Sequence, residues 1–247
     1  MSNVDNLRSI AARVAESLAS SRVRGDAAYI STSVTYPNGT GVTVKICQAP
    51  NGFYVSDEGY GGQIADMMGG SATYTKTAPL VASRSGVQYG ERTFFTYVHD
   101  ERKLTAAVSA VANASAKTAD RVAQTLEQMK FQKSRDVFDG RLRAAFGERV
   151  AFDVTITGGT GRSWDYDAAV DEDDFKRVFT LVSPAFQAIA AANLKIVDTL
   201  ALPSPPRVTT VLTDYDRTEP ALRAILSDTG SIVIGATEGV ERYKLAS

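Results

Sequence analysis

Residues Val150 to Ser183 read VAFDVTITGGTGRSWDYDAAVDEDDFKRVFTLVS. Val150 to Thr157 and Trp164 to Val170 carry apolar residues at strand spacing, and Phe175 to Val182 is rich in β-branched and aromatic residues. Each segment predicts a strand. Gly158-Gly159-Thr160-Gly161 and Asp171-Glu172-Asp173-Asp174 separate them as turns. A helical segment precedes these strands, and helix, strand, helix and strand follow.

Upstream, Ser134 is placed to cap a helix whose apolar face carries Val137, Phe138, Leu142, Ala145 and Phe146. Gly147 ends it, in the position glycine favours. Downstream, Ser183-Pro184 predicts a helix start, with Phe186, Ile189, Leu194, Ile196 and Leu200 along the helix. Pro203, Pro205 and Pro206 end it. Arg207 to Thr213 predicts a buried strand, Thr218 caps a helix through Leu222, Ile225 and Leu226, and Ser231 to Ala236 predicts another strand. Glu238 to Leu245 is expected to add an edge strand.

Toward the N-terminus, Val4 to Leu18 predicts an amphipathic helix through Leu7, Ile10, Val14 and Leu18, closed by Arg22, Arg24 and Gly25. Tyr29 to Tyr36, Val42 to Cys47 and Phe53 to Ser56 predict strands, separated by Pro37-Asn38-Gly39-Thr40 and Ala49-Pro50-Asn51-Gly52. Links this short dictate an antiparallel meander. It runs into Ser56-Asp57-Glu58-Gly59, then a short helix through Ile64, Met67 and Met68 that Gly69-Gly70 stops. Asp57 caps that helix or its turn, and Asp57, Glu58 and Gly59 form a motif readable as a turn or a ligand contact. Thr77 to Val87 fits neither period. Arg92 to Val98 predicts a strand, and Asp100 caps a long helix from Glu101 to about Lys130. Leu104, Val108, Val111, Val122, Leu126 and Met129 mark its apolar stripe. Its small middle, Ala112 to Ala119, suits either a break or close packing on a helix or a second subunit, which would make a homodimer. The boundary between domains is placed near Lys130 to Ser134, giving 1–130 and 131–247. The expected fold class is α+β or α/β, an N-terminal antiparallel meander with helices and a C-terminal mixed sheet flanked by helices.

With 247 residues, 44% hydrophobic content and a net charge of -1, the chain is globular and carries no bulk attraction for nucleic acid or membrane. Cys47 alone can form neither an internal disulfide nor a cysteine zinc site. The first residues lack a signal peptide's apolar core, and no run approaches the roughly 18 apolar residues of a membrane span. A cytoplasmic protein is expected. His99 is the one histidine, and no serine lies in a Gly-x-Ser-x-Gly setting, so nucleophilic triad chemistry has little to draw on. The glycines at 158, 159 and 161 miss the phosphate-loop spacing, with Arg162 at the lysine position, and are read as a hairpin turn. Asp165, Asp167 and Asp171 to Asp174 form an acidic group without calcium-loop spacing. Asp165 and Asp167 share a strand face.

From Ser134 onward this order of elements resembles the core of the restriction-endonuclease-like PD-(D/E)xK superfamily. The resemblance implies a metal-binding aspartate on the second strand, matched by Asp165 or Asp167, and a Glu-x-Lys on the third. Here the third strand from Arg177 on reads Arg177-Val178-Phe179-Thr180-Leu181-Val182, and that part supplies neither acid nor lysine. A degenerate core is therefore expected. The meander ending in Phe53-Tyr54-Val55-Ser56-Asp57-Glu58-Gly59 is similar to a domain of unknown function in bacterial and phage proteins, often joined to a C-terminal half of this kind. That implies a role in the contest between phage or mobile element and host.

Three functions follow as expectations. The first is a non-enzymatic binding protein with a protein partner, such as a host defence complex of the anti-CRISPR or anti-restriction type, with no catalytic residue, metal or cofactor. The second is a nucleic-acid-binding accessory protein using Lys130, Lys133, Arg135, Arg141, Arg143 and Arg149, six bases against the three acids Asp136, Asp139 and Glu148. The third is a divergent nuclease in which Asp153, Asp165 and Asp167 hold Mg²⁺.

Overall fold

The structure, a computed structural model, describes residues 3–172 and 175–245. It divides into two compact units, Met1–Gln128 and Met129–Ser247. The fold class is mixed α and β, with an antiparallel sheet in the first unit and a mixed sheet in the second.

The first unit opens with α1 (Asn3–Ser17), then β1 (Ser20–Arg24), β2 (Ala27–Thr35), β3 (Gly41–Ala49) and β4 (Gly52–Ser56). Next come α2 (Tyr60–Met67), α3 (Ser71–Ser85), β5 (Gln88–Gly90) and β6 (Thr93–Val98). The sheet order is β1-β2-β3-β4-β6-β5. Val42, Val44, Val55 and Phe94 turn inward onto Ile64, Tyr74, Ala78, Val81 and the long helix α4 (Leu104–Phe146). Arg22 and Arg24 do not close α1. They lie in β1, which pairs with β2 across a turn at Gly25, whose φ is 64°. The segment from Thr77, left without an assignment by its sequence, is part of α3, and Pro79 sits inside that helix.

Helix α4 corrects two expectations. It does not break at Ala112 to Ala119, and Ser134 caps nothing, because the helix runs unbroken to Phe146. Between Val111 and Asp120 only Asn113, Lys117 and Asp120 are exposed. A helix apolar or small nearly all round is a buried helix. Ala112, Ala114, Ala116 and Ala119 lie in the first unit's core, so the face assigned to a homodimer is already covered.

In the second unit, β7 (Val150–Thr157), β8 (Ser163–Glu172) and β9 (Phe175–Val182) pair antiparallel, while β10 (Arg207–Leu212) and β11 (Ile232–Gly235) add parallel to β9. Phe138, Leu142 and Phe146 of α4 pack on one sheet face with Ala168, Val170, Phe179, Leu181 and Val211. The other face carries Tyr166, Val178, Val182 and Leu212 against Ile189, Ala192 and Ile196 of α5 (Phe186–Leu200) and Leu226 of α6 (Pro220–Asp228). The result is three layers, helix on sheet on helix. Half of the expected acidic turn, Asp173 and Asp174, lies outside the described residues.

Helix starts shift from their sequence positions. Ala185, not Ser183, flanks α5. Glu219 precedes α6 with Pro220 in its first turn, while Thr218 is buried and its hydroxyl donates to the Asp214 carbonyl. The tail forms no edge strand. It is α7 (Val240–Leu245), held by buried Tyr243, whose hydroxyl donates to the Ala236 carbonyl, and by Arg177, which donates to the Tyr243 carbonyl. A cation on the last carbonyls of a helix is favourable. Among the described residues no helix is long and apolar enough to cross a membrane.

Candidate functional site

The site lies where β8 and β9 part. Their ladder runs from Glu172↔Phe175 to Ala168↔Phe179 and stops. Beyond it the backbone N–H of Leu181 donates to the Asp167 carboxylate at 2.6 Å, so a side chain replaces the next strand contact. The alternation of β8 breaks at the same place. Ala168 packs on the α4 face, yet Tyr166, two residues earlier, packs on the α5 face. Opposite, Asp153 has φ 53° inside β7. Aspartate tolerates this left-handed conformation better than most residues, but it costs energy, and such strain clusters at functional sites.

Three carboxylates surround one guanidinium here. Arg135 of α4 bonds Asp167 at 2.7 Å, Asp153 at 2.9 Å and Asp139 at 2.9 Å. Arg135 and Asp167 keep 18% and 20% of their side-chain exposure, whereas Asp153 keeps 81%, so the cluster is walled on one side and open on the other. Burial is the largest single influence on Arg135 and pushes it down, but Asp153, Asp167 and Asp139 together push it up further. The guanidinium stays charged.

On the α5 side the parted strands open a cleft of about 390 Å³, lined among others by Phe131, Trp164, Asp165, Thr180, Ser183 and Lys195. Lys195 reaches in from α5. Its ammonium donates to the Asp165 carbonyl at 2.9 Å and the Thr180 hydroxyl at 2.7 Å, and lies 4.4 Å from the centre of the Tyr166 ring. An ammonium has three donors, and these two oxygens take two of them. Burial pushes Lys195 below the usual lysine range, although the Asp167 and Asp165 carboxylates pull the other way. The Asp165 carboxylate itself accepts from the Thr155 hydroxyl at 2.9 Å.

The glycine loop after β7 is a turn closed on a carboxylate, and it has no phosphate-loop geometry. Gly158 N–H donates to the Arg162 carbonyl. Asp198 of α5 accepts from the Trp164 indole at 2.6 Å, the Thr160 N–H at 2.8 Å and the Thr160 hydroxyl at 3.0 Å. These bonds, the indole's first, hold Asp198 below the usual carboxylate range. A Cβ on Gly158 would collide with the Asp198 carboxylate, so glycine is required there.

The basic residues expected to contact phosphates are scattered. Arg135 is committed to carboxylates, and Arg141 is half-buried. Lys130, Lys133 and Arg143 are exposed, and Arg149 is exposed beyond the helix end. At about 100° per residue, Arg143 lies roughly 140° around the helix from Lys130. It sits instead 5.0 Å over the Phe152 ring.

In the first unit, Asp57 is buried and acts as a latch. It accepts from Gly59 N–H at 3.0 Å, Phe94 N–H at 2.9 Å and the Ser115 hydroxyl of α4 at 2.5 Å. Burial pushes its carboxyl above the usual range, against those hydrogen bonds, of which Ser115's is the strongest influence. Glu58 pairs with Lys45 at 2.5 Å, and Gly59 has φ 74°, a conformation that costs glycine nothing. The motif is a turn that ties β4 and β6 to α4. His99 joins a hydrogen bond with the Asn51 carbonyl at 2.6 Å, and Cys47 is a free, half-buried thiol.

Sequence reasoning missed Arg135 as a carboxylate clamp, and missed Lys195 and Asp198. Lys195 and Asp198 sit beside Ile196 and Thr199, on the buried side of α5. A charged residue at an inward helical position was the available signal. Among the described residues no group of three or more His, Cys, Asp or Glu is placed to hold a metal ion.

No protein-family model and no curated protein matches the chain. Among solved structures it is similar to AF1548, a protein of unknown function, at 12% identity and TM-score 0.34, over 45% of this chain and 63% of that one. It is also similar to protein VC1899 from Vibrio cholerae, at 11% identity and TM-score 0.33, over 76% of this chain and 48% of that one.

Proposed function

We propose that the protein is a non-enzymatic binding protein whose C-terminal unit is a nuclease-like scaffold with its acid cluster already engaged by a guanidinium. The observation that carries this reading is Arg135 bonded to Asp139, Asp153 and Asp167. Hydrolysis by a divalent ion needs carboxylate oxygens free to coordinate it. Here one guanidinium takes an oxygen from each acid, and the second oxygen of Asp167 accepts from Leu181 N–H. The acids as arranged do not fit a Mg²⁺ ion. No cofactor is needed for the proposed role.

The partner we propose is a host defence complex, engaged in the cytoplasm on behalf of a phage or mobile element. Support comes from the resemblance of the meander through Asp57-Glu58-Gly59 to a domain of such elements. The test has two arms. Purified protein is incubated with DNA and RNA in Mg²⁺ or Mn²⁺, and no cleavage is expected. Cells carrying an active CRISPR or restriction system are challenged with phage, and expression of the protein is expected to restore plating. Cleavage overturns the silent core. Unchanged plating against every system tested overturns the partner.

Lys195 favours a second reading, the divergent nuclease. It brings a lysine to Asp165 and Thr180, at the end of β9 away from Lys176. That reading requires cleavage that Lys195→Ala and Asp167→Ala both abolish.

A further inference from the structure

The sheet of the first unit has an open face unlike an ordinary solvent face. Successive side chains of a strand point to opposite faces. Val44, Val55 and Phe94 go inward, with Ile30 and Ile46 beside them. The register therefore sets their neighbours outward. Arg22, Tyr29 and Lys45 form one cross-strand row, and Cys47, Tyr54 and Tyr97 another, with Phe95 opposite Ser56. The solvent side of an antiparallel sheet is normally polar. Here Tyr54 lies 5.0 Å from Tyr97 and 5.6 Å from Phe95, ring centre to ring centre, and Phe95 lies 6.1 Å from Tyr97. Tyr97 is 54% exposed, while Tyr54 and Phe95 are half-buried. The Arg22 guanidinium lies 5.7 Å over the Tyr29 ring.

We infer that this face binds single-stranded nucleic acid, with bases on Tyr54, Phe95 and Tyr97 and phosphates on Arg22 and Lys45. Stacking on aromatic rings accepts any unpaired base, and a strand's backbone calls for cations alongside. A duplex keeps its base faces hidden. A neutral sugar would also suit the rings, but it would have no use for the cations of β1 and β3. The pair of Lys45 with Glu58 keeps 25% and 47% of its side-chain exposure, so a phosphate can reach the ammonium and compete with the carboxylate for it. In the order β1-β2-β3-β4-β6, four strand spacings of about 4.8 Å separate Arg22 from Tyr97, roughly 19 Å. That suits a short site of about four nucleotides, the low end for sheet-borne single-strand sites. This surface lies in the first unit and does not rest on the reading of the Arg135 cluster.

The test is fluorescence anisotropy of labelled ten-nucleotide oligo(dT) and oligo(U) with the full chain, between 50 and 200 mM salt, a range chosen to resolve phosphate contacts. Both strands are expected to bind, and a duplex of equal length to bind much less. Tyr97→Leu, and Tyr54→Leu with Tyr97→Leu, keep apolar bulk on the strands and are expected to weaken binding about tenfold or more. Arg22→Ala with Lys45→Ala is expected to flatten the slope of log affinity against log salt by about 1.4, roughly 0.7 per charge. Thermal unfolding of each variant separates lost binding from lost fold. The inference is overturned by absence of binding, by binding the folded tyrosine variants leave unchanged, by equal duplex binding, or by loss only in Lys133→Ala with Arg143→Ala.

Discussion

Asp198 is a carboxylate whose surroundings report on themselves, because the indole that bonds it belongs to Trp164, the one tryptophan in the chain. Its folded carboxyl lies below the ordinary value, the Trp164 bond being the main cause. The stability this supplies is therefore present above the unfolded aspartate value near 3.9 and is lost as pH falls through the folded one. Acid titration of tryptophan emission should show a transition below the usual aspartate range, and Asp198→Asn should remove it. A transition that persists unchanged in Asp198→Asn would detach the emission from this carboxylate. At this scale the sequence was least legible. Arg135 looked like one of six bases for phosphates, yet its acids Asp153 and Asp167 lie 18 and 32 positions away. Only the fold brings those two to Arg135, and the one local sign of the clamp was Asp139, four residues on along the helix.

Among the elements, α4 shows how small residues mislead. The run Ala112 to Ala119 lacks large apolar side chains, so it weakens the helical stripe as read from the sequence. In the fold the same smallness allows close approach on nearly every side. Ser115 uses that proximity. Its hydroxyl meets Asp57 at 2.5 Å and the Tyr36 hydroxyl at 2.8 Å, and a Cβ on Gly61 would collide with it. Ser115→Ala is expected to cost about 1–3 kcal/mol, since it strips a partner from two buried polar groups. Exposed Ser109→Ala, on the same helix, should stay within about 0.5 kcal/mol. Urea unfolding of both variants checks the contrast, and equal effects would deny the latch. The alternating strands β2, β3 and β7 and the apolar β10 were legible because a half-buried or buried strand writes its burial into sequence. Strand β1 was not, because all five of its residues are exposed and edge pairing leaves no such mark.

Across the whole molecule, the mixed α and β class and the central strands of each sheet follow from patterns that extend over tens of residues. Turn chemistry and hydrophobic period agree there, and agreement between levels is what makes a fold readable. Helix α1 marks the limit of that agreement. Its apolar positions Leu7, Ile10 and Val14, and Leu18 just past its end, keep helical spacing, yet they are 60%, 40%, 52% and 54% exposed. Burial, not spacing, supplies stability. Removing residues 1–18 should therefore lower the stability of the remaining chain by less than about 1 kcal/mol. A larger loss in urea unfolding would mean that α1 is packed in solution.

The central claim is that Arg135 already fills the place a catalytic ion would take. Calorimetric titration of Mg²⁺ tests it most directly, with the intact protein beside Arg135→Ala, which leaves Asp139, Asp153 and Asp167 without their cation. The intact protein should show no binding at millimolar Mg²⁺. The variant should be destabilised by about 1–3 kcal/mol, the order for losing hydrogen bonds to charged groups that are only partly buried, and should gain a Mg²⁺-binding heat. Stoichiometric Mg²⁺ binding by the intact protein, abolished in Asp167→Ala, would contradict the claim.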